Sequence, residues 1–137
     1  MLASSESGTA IVLVVSPALN LALARMLEGA SCPLTVLHSP DCGRALPHLT
    51  ESMISVVICE ALLPDGSWKD LLEYIGRVRA SPVLVVTSKL ADESLWAEVL
   101  NLGGYDVLAQ PFDREEVTRV VESAMRASSD QSRRRLA

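Results

Sequence analysis

Residues 56–66 read Val-Val-Ile-Cys-Glu-Ala-Leu-Leu-Pro-Asp-Gly, and this stretch carries the main signal for the fold. An apolar run leads into one carboxylate, Glu60, and the chain then turns at Pro64-Asp65-Gly66. A short apolar run bounded by turn residues is typical of a strand that is buried on both faces, as in a parallel sheet. Sites in open parallel sheets lie beyond the carboxyl ends of the strands. Glu60 therefore stands where chemistry would occur.

The same alternation of an apolar run and a helical pattern repeats along the chain. Strands are predicted at 11–15, 34–37, 56–59, 82–86 and 105–109. Helices are expected at about 17–29, from 39–41 onward with a bend at Pro47, at about 67–79, at about 92–102, and from 113 until the pattern fades at 128–129. Five strand–helix repeats with short connections predict an α/β fold, in which helices cover both faces of a five-stranded parallel sheet.

The length and composition fit one domain. A chain of 137 residues is expected to form a single domain. Its hydrophobic content of 49% and mean hydropathy of +0.28 predict a well-filled core. We interpret residues 1–9 as a flexible N-terminal lead, residues 10–127 as the domain, and residues 128–137 as a polar, basic tail.

Charge, hydropathy and cysteine usage limit the expected partners and compartment. The net charge is −5, and the arginines at 133–135 conceal part of the acidity of the domain, so nucleic acid is not an expected partner of the core domain. The apolar runs are too short to cross a bilayer, and residues 1–9 lack a signal-peptide pattern, so no membrane partner is expected. Three cysteines without a Cys-x-x-Cys pair predict buried thiols in a reducing cytoplasm.

The residues that end the predicted strands form the candidate site. They are Ser16-Pro17, His38-Ser39, Glu60, Thr87-Ser88 and Gln110-Pro111. No glycine-rich phosphate loop follows the first strand, which argues against nucleotide binding. Neither histidine has a Cys or His partner at ligand spacing, which argues against a zinc site.

Several short fragments, taken in order, resemble the response-regulator receiver domain over about residues 10 to 126. They are Leu-Val-Val in the first strand, Leu-Leu-Pro-Asp-Gly after the third, Pro-Val-Leu-Val-Val-Thr-Ser in the fourth, and Gly103-Gly104 followed by Ala109-Gln110-Pro111-Phe112 at the fifth. The resemblance implies the doubly wound, flavodoxin-like strand order 2-1-3-4-5. It also implies two-component or phosphorelay signalling, with a histidine kinase, an output protein or a second copy of the chain as the partner.

The resemblance assigns a role to each strand end. The family accepts a phosphoryl group on an aspartate at the end of the third strand, and that position here is Glu60. Around it the family places two metal-binding acids, a hydroxyl, an aromatic that changes rotamer on activation and a lysine, whose positions here are Ser16 and Pro17, Thr87, Val107 and Gln110. Only the hydroxyl of Thr87 is kept, so the resemblance is to an atypical, degenerate member.

The replaced residues argue against the usual chemistry. Phosphoryl transfer to a carboxylate brings like charges together, so the site needs cations to offset them. Magnesium prefers carboxylate and water oxygens, whereas Ser16 offers one neutral hydroxyl and Pro17 offers no side-chain ligand. Gln110 can donate only a neutral hydrogen bond, roughly half as strong as a charged one. We therefore expect no enzymatic activity, no cofactor, lost or weak magnesium binding and no magnesium-dependent phosphorylation.

Four interpretations of the site stay open. Glu60 can imitate the phosphorylated state, because it is a longer and permanently anionic side chain, or it can be a decayed acceptor at a solvated strand end; the second reading is favoured. The chain can also be a phosphorelay receiver that still uses Glu60 or another side chain. Finally, it can be a small-ligand-binding module at the crevice near Glu60, Thr87 and Gln110.

Two tryptophans stand out among only five aromatic residues. Trp68 follows the turn after the third strand, where the family usually has a small residue. Trp96 lies in the fourth predicted helix, on a side of the domain that receivers use for partners. Because aromatic residues are enriched at interfaces, Trp96 is the candidate interface residue.

Overall fold

The computed structural model describes residues 10–78 and 82–136, with side chains as far as residue 131. Five strands form one sheet: β1 (Ala10–Val15), β2 (Leu34–Ser39), β3 (Val56–Glu60), β4 (Val83–Ser88) and β5 (Asp106–Ala109). They follow the order β2-β1-β3-β4-β5, and every pair is parallel. The predicted fold class and strand order are therefore confirmed.

Five helices connect and follow the strands. They are α1 (Asn20–Leu27), α2 (Cys42–Glu51), α3 (Trp68–Ile75), α4 (Glu93–Leu102) and α5 (Arg114–Leu136). Between β3 and α3 lies a feature that the sequence reading treated as a plain turn: a short antiparallel hairpin that pairs Leu62–Leu63 with Gly66–Ser67. No helix in the described residues is long and apolar enough to cross a bilayer.

Alternation along the strands produces two cores, one on each face of the sheet. Along β1, Val12 and Val14 point into a core with α1 and α5, whereas Leu13 and Val15 point into a core with α2, α3 and α4. Successive strand side chains point to opposite faces. Since both faces are covered, the central strands β1 and β3 are almost entirely apolar and buried, as expected of a parallel sheet.

Three helix boundaries differ from the sequence-based expectation. The first helix begins at Asn20 rather than at 17, because the backbone at 18 and 19 is held in a turn by the Ser16 hydroxyl. The third helix ends at Ile75 rather than at 79, where Gly76 lowers the helix propensity. The expectation that α5 fades at 128–129 is wrong, because the helix continues to Leu136.

Parts of the predicted organisation fall outside the described residues. The N-terminal lead at 1–9 lies outside them, as do the side chains of the basic segment at 133–135. The backbone of the predicted tail, however, is described to 136, and it forms the last turns of α5. No proline or glycine occurs after Pro111 in the sequence, so no helix-breaking residue stops α5 at 128.

Candidate functional site

The central contact of the strand-end site joins β1 to β3. The hydroxyl of Ser16, the first residue after β1, donates a hydrogen bond of 2.5 Å to the Glu60 carboxylate (Oε2) at the end of β3. Val15 pairs with Cys59 across the two strands, so each of the two polar residues follows a paired position. Ser16 is 1% exposed and Glu60 is half-buried. The acid is therefore hydrogen-bonded to Ser16 and only partly exposed to solvent.

Ser16 also organises the chain that leads into α1. Its Oγ accepts hydrogen bonds from the backbone N–H groups of Ala18 (3.1 Å) and Leu19 (2.9 Å), and its carbonyl accepts one from the Asn20 side chain (2.9 Å). Ser16 therefore holds the backbone just before α1 and is not the N-cap residue of that helix, which is Leu19. One hydroxyl accepts from two amides and donates to a carboxylate, so Ser16 fixes the position of Glu60 relative to α1.

On the other side of β3, Thr87 and Gln110 form a second hydrogen-bonded pair that does not include Glu60. Thr87 lies opposite Glu60 in the sheet and is 1% exposed. Its hydroxyl donates to the Leu108 carbonyl (2.9 Å) and accepts a longer bond from Gln110 Nε2 (3.3 Å). The kept hydroxyl is engaged with β5 and with the residue that follows it.

The remaining two positions contribute little to the site. Pro17 is exposed, and its side chain has no polar atom. Val107 is half-buried and packs against the core on the α2, α3 and α4 side of the sheet. A valine is much smaller than the aromatic that the resemblance implies at this position, and it has no polar tip. The site is therefore assembled from Ser16, Glu60, Thr87 and Gln110.

The side chains present do not fit a magnesium ion. Magnesium sites usually take one or two carboxylates with several waters in near-octahedral geometry. Here Glu60 is the single carboxylate of the site, and one of its oxygens already accepts from Ser16. Within the described residues, no group of three His, Cys, Asp or Glu side chains is placed to hold a metal ion. We therefore derive no chemistry through a metal.

Asp65, which the sequence places in a turn, also makes contacts outside that turn. Its carboxylate accepts hydrogen bonds from the backbone N–H groups of Cys42 and Gly43, both at 2.9 Å, at the start of α2. Asp41 caps the same helix by accepting from Arg44 N at 2.9 Å. Together the two carboxylates satisfy three free amides of the first turn. Asp65 thus fastens the connection after Glu60 to α2.

The amides of Gly43 and Cys42 lower the pKa of the Asp65 carboxyl. A carboxyl whose pKa is lower in the folded state stabilises the fold above its unfolded pKa of about 3.9, and this stabilisation is lost as the pH falls through the folded value. We expect Asp65→Asn to reduce stability near neutral pH, with a difference from wild type that shrinks in acid. Urea unfolding of both proteins at several pH values measures this. A pH-independent difference would contradict the assignment.

The two tryptophans have opposite environments. Trp68 is 4% exposed and lies in the core with residues of α3 and α4. Its backbone N–H donates to the Ala61 carbonyl at 3.1 Å, which closes the connection after β3 onto α3. Trp96 is 50% exposed on α4, as an interface residue requires.

The thiols of Cys42 and Cys59 are poorly suited to nucleophilic chemistry. Burial raises the pKa of the Cys59 thiol. Burial and the nearby Asp65 carboxylate raise the pKa of Cys42 to about 11. Both thiols therefore stay protonated at neutral pH, and thiolates are the reactive species. Only Cys59 is fully buried; Cys42 and Cys32 are half-buried, which corrects the expectation of three buried thiols.

No protein-family model matches the chain, and no curated protein matches it. Solved structures match it well. The signal receiver domain of an HD domain-containing protein from Pseudomonas fluorescens Pf-5 is 26% identical, with a TM-score of 0.78 over 92% of this chain and 93% of that one.

Two further matches are more distant in sequence but equally complete. A response regulator receiver domain protein from Clostridium thermocellum is 19% identical, with a TM-score of 0.77 over 88% of this chain and 97% of that one. A CheY-like receiver domain protein from Methanospirillum hungatei JF-1 is 15% identical, with a TM-score of 0.75 over 90% and 98%. The strand order and the helices on both faces agree with the resemblance found in the sequence. In its fold, the chain is a response-regulator receiver domain.

Proposed function

We propose that the chain is a receiver-like signalling domain that acts in the cytoplasm through protein–protein contacts and is not phosphorylated in the usual magnesium-dependent way. Its partner is a histidine kinase, an output protein or a second copy of the chain. The domain is not an enzyme in this proposal. Its input is the presence of the partner rather than a covalent change at Glu60.

The observation that carries the proposal is the hydrogen bond from Ser16 to Glu60. Ser16 occupies the position of the first metal-binding acid, and its neutral hydroxyl is directed at the carboxylate that would have to attack phosphorus. A carboxylate oxygen that accepts this bond is a poorer nucleophile, and no described lysine or arginine forms an ion pair with Glu60. Since phosphoryl transfer depends on cations that offset the developing charge, this site disfavours the reaction.

The surface around Trp96 supports the second half of the proposal. Trp96 lies on the wall of a groove of about 360 Å³ between α4 and α5, with Val107 and Ala109 of β5 on its floor. Leu100, one turn further along α4, is also an exposed apolar side chain. Buried aromatic anchors near the centre of an interface supply most of its binding energy. We therefore place the partner contact on α4 at Trp96.

Replacing Trp96 tests this placement. We expect Trp96→Ala to weaken self-association by about tenfold or more, because truncating an aromatic anchor costs about 2 kcal/mol or more. Sedimentation equilibrium of the full chain measures the association, and circular dichroism checks that the variant is folded. The matched control is Met53→Ala, which removes a side chain that is 74% exposed and lies outside this groove. Equal association in wild type and Trp96→Ala would contradict the assignment.

A further inference from the structure

A second groove lies on the opposite side of β5, between α1 and the connection from β5 to α5. Its volume is about 570 Å³. Five of its seven lining residues are apolar: Leu19, Ala22, Met26, Pro111 and Phe112. The other two, Lys89 and Gln110, are polar. Pockets of about 300–1,000 Å³ with mostly apolar walls and a few polar groups are typical of small-molecule sites in proteins.

The two polar residues define the chemistry at one end of this groove, which we call the α1 groove. Lys89 is exposed, and no carboxylate in the described residues forms an ion pair with it. Gln110 donates one amide hydrogen to the Thr87 hydroxyl, in a bond of 3.3 Å, and has a second amide hydrogen that it can donate. An ammonium group beside a neutral amide donor favours an anionic oxygen ligand. The rest of the groove favours an apolar body.

The α1 groove is separate from the buried strand-end residues. Ser16 and Thr87 are each 1% exposed, and their hydroxyls are committed to Glu60 and Leu108. A ligand therefore cannot use these two hydroxyls unless the existing hydrogen bonds break. Of the crevice that the sequence placed at Glu60, Thr87 and Gln110, the Thr87 hydroxyl is thus buried and already engaged, and the open space lies beside Gln110.

We propose that the α1 groove binds a small amphiphilic carboxylic acid. The apolar body lies along Leu19, Ala22 and Met26 of the α1 side, against Phe112, and the carboxylate lies near Lys89 and the amide of Gln110. This site goes beyond the proposed signalling function and does not depend on it, since neither Glu60 nor Trp96 takes part.

The experiment uses dodecanoate, below its micellar range, as the probe and isothermal titration calorimetry of the full chain as the readout. We expect saturable binding with one molecule per chain. Dodecanol, with the same apolar body and no charge, should bind more weakly. Lys89→Gln should weaken dodecanoate binding by about twofold to fivefold, the range of an exposed ion pair. The same charge change at Arg44, on α2 across the sheet, should leave the binding unchanged.

A groove-filling variant gives the sharper test. Ala22 is exposed, so Ala22→Trp can occupy the α1 groove without disturbing the core, and circular dichroism checks its fold. We expect this variant to abolish saturable dodecanoate binding. Binding that is unsaturable, or unaffected by Ala22→Trp, would overturn the proposal. A dimer that forms as the protein concentration rises would also overturn the proposal if Ala22→Trp dissociates it and dodecanoate does not. In that case a second copy of the chain would occupy the groove.

Discussion

Replacing Trp68 by alanine is expected to lower the free energy of unfolding by about 3–5 kcal/mol, the cost of truncating a buried aromatic in a core. Trp68 is 4% exposed and packs in the core between the sheet and helices α3 and α4. The surrounding helices can collapse only partly into the space, so the lost contacts and the cavity both add to the cost. Urea unfolding followed by far-UV circular dichroism measures the change.

Trp96 provides the matched control for this experiment. It is the same residue type at 50% exposure, so its truncation should change the stability of the folded monomer by no more than about 0.5 kcal/mol. Trp68→Phe should recover most of the loss, because it keeps an aromatic ring in the core. Equal costs for Trp68→Ala and Trp96→Ala would contradict the burial of Trp68.

The position of Trp68 connects this stability to the site. Ser67 caps α3 and forms a capping box with Asp70, and the Trp68 N–H closes onto Ala61, the residue after Glu60. In addition, Lys69 Nζ lies 5.8 Å from the centre of the Trp68 ring, within the range of a cation–π contact. A cavity at Trp68 would loosen the segment that follows Glu60, so the strand-end geometry depends on this core residue.

The second large effect is expected at Ser16. Ser16→Ala should lower the free energy of unfolding by about 2 kcal/mol, because hydrogen bonds to charged groups contribute about 1.5–3 kcal/mol. The substitution removes the donor to Glu60, and it removes the acceptor for the amides of Ala18 and Leu19. The hydroxyl is buried, so water does not simply replace it. Urea unfolding of wild type and variant at neutral pH measures this change in the free energy of unfolding.

A double-mutant cycle separates the Glu60 contact from the other bonds of Ser16. Glu60→Gln keeps an acceptor oxygen but removes the charge, and a neutral hydrogen bond is roughly half as strong as a charged one. Ser16→Ala should therefore cost less in the Glu60→Gln background than in wild type. The same cost in both backgrounds would mean that Ser16 acts only on the backbone of residues 18 and 19. The matched control is Ser88→Ala, whose hydroxyl at the next strand end accepts only from Leu90 N.

The sequence was sufficient for the architecture because its signal is local. Apolar runs such as 56–59, bounded by turn residues, specify a strand that is covered on both faces, and helical spacing specifies what covers it. The right-handed connections of parallel strands leave few topologies to choose among. The sequence alone therefore places Glu60, Thr87 and Gln110 at one edge of the sheet.

The contacts that define the site are not local, and the sequence does not encode them in a readable pattern. The bond between Ser16 and Glu60 spans 44 positions, and the bond from the Cys42 amide to the Asp65 carboxylate spans 23. Each depends on strand register and on side-chain rotamers. The burial of Trp68 is not predictable from the sequence for a related reason: an aromatic residue beside turn residues can point inward or outward, and only the packing of α3 and α4 decides which.

Ser16 and Pro17 both stand where the resemblance implies a metal-binding acid, but their side chains behave differently. Pro17 is exposed and its side chain has no polar atom. It therefore supplies no ligand at a position where the resemblance implies an acid. Ser16, by contrast, retains a polar role, since it binds the carboxylate that a metal ion would otherwise contact. This difference is the physical basis for reading the site as a fixed structural element rather than as an acceptor.

The intact mass of the full chain after incubation with acetyl phosphate and Mg²⁺ shows directly whether the chain accepts a phosphoryl group. A receiver domain that keeps the acceptor aspartate, both metal-binding acids and the lysine serves as the positive control for the reagents. We expect an unchanged mass for this chain, both in wild type and in Ser16→Ala. The addition of one phosphate to the wild-type chain, lost in Glu60→Gln, would contradict it.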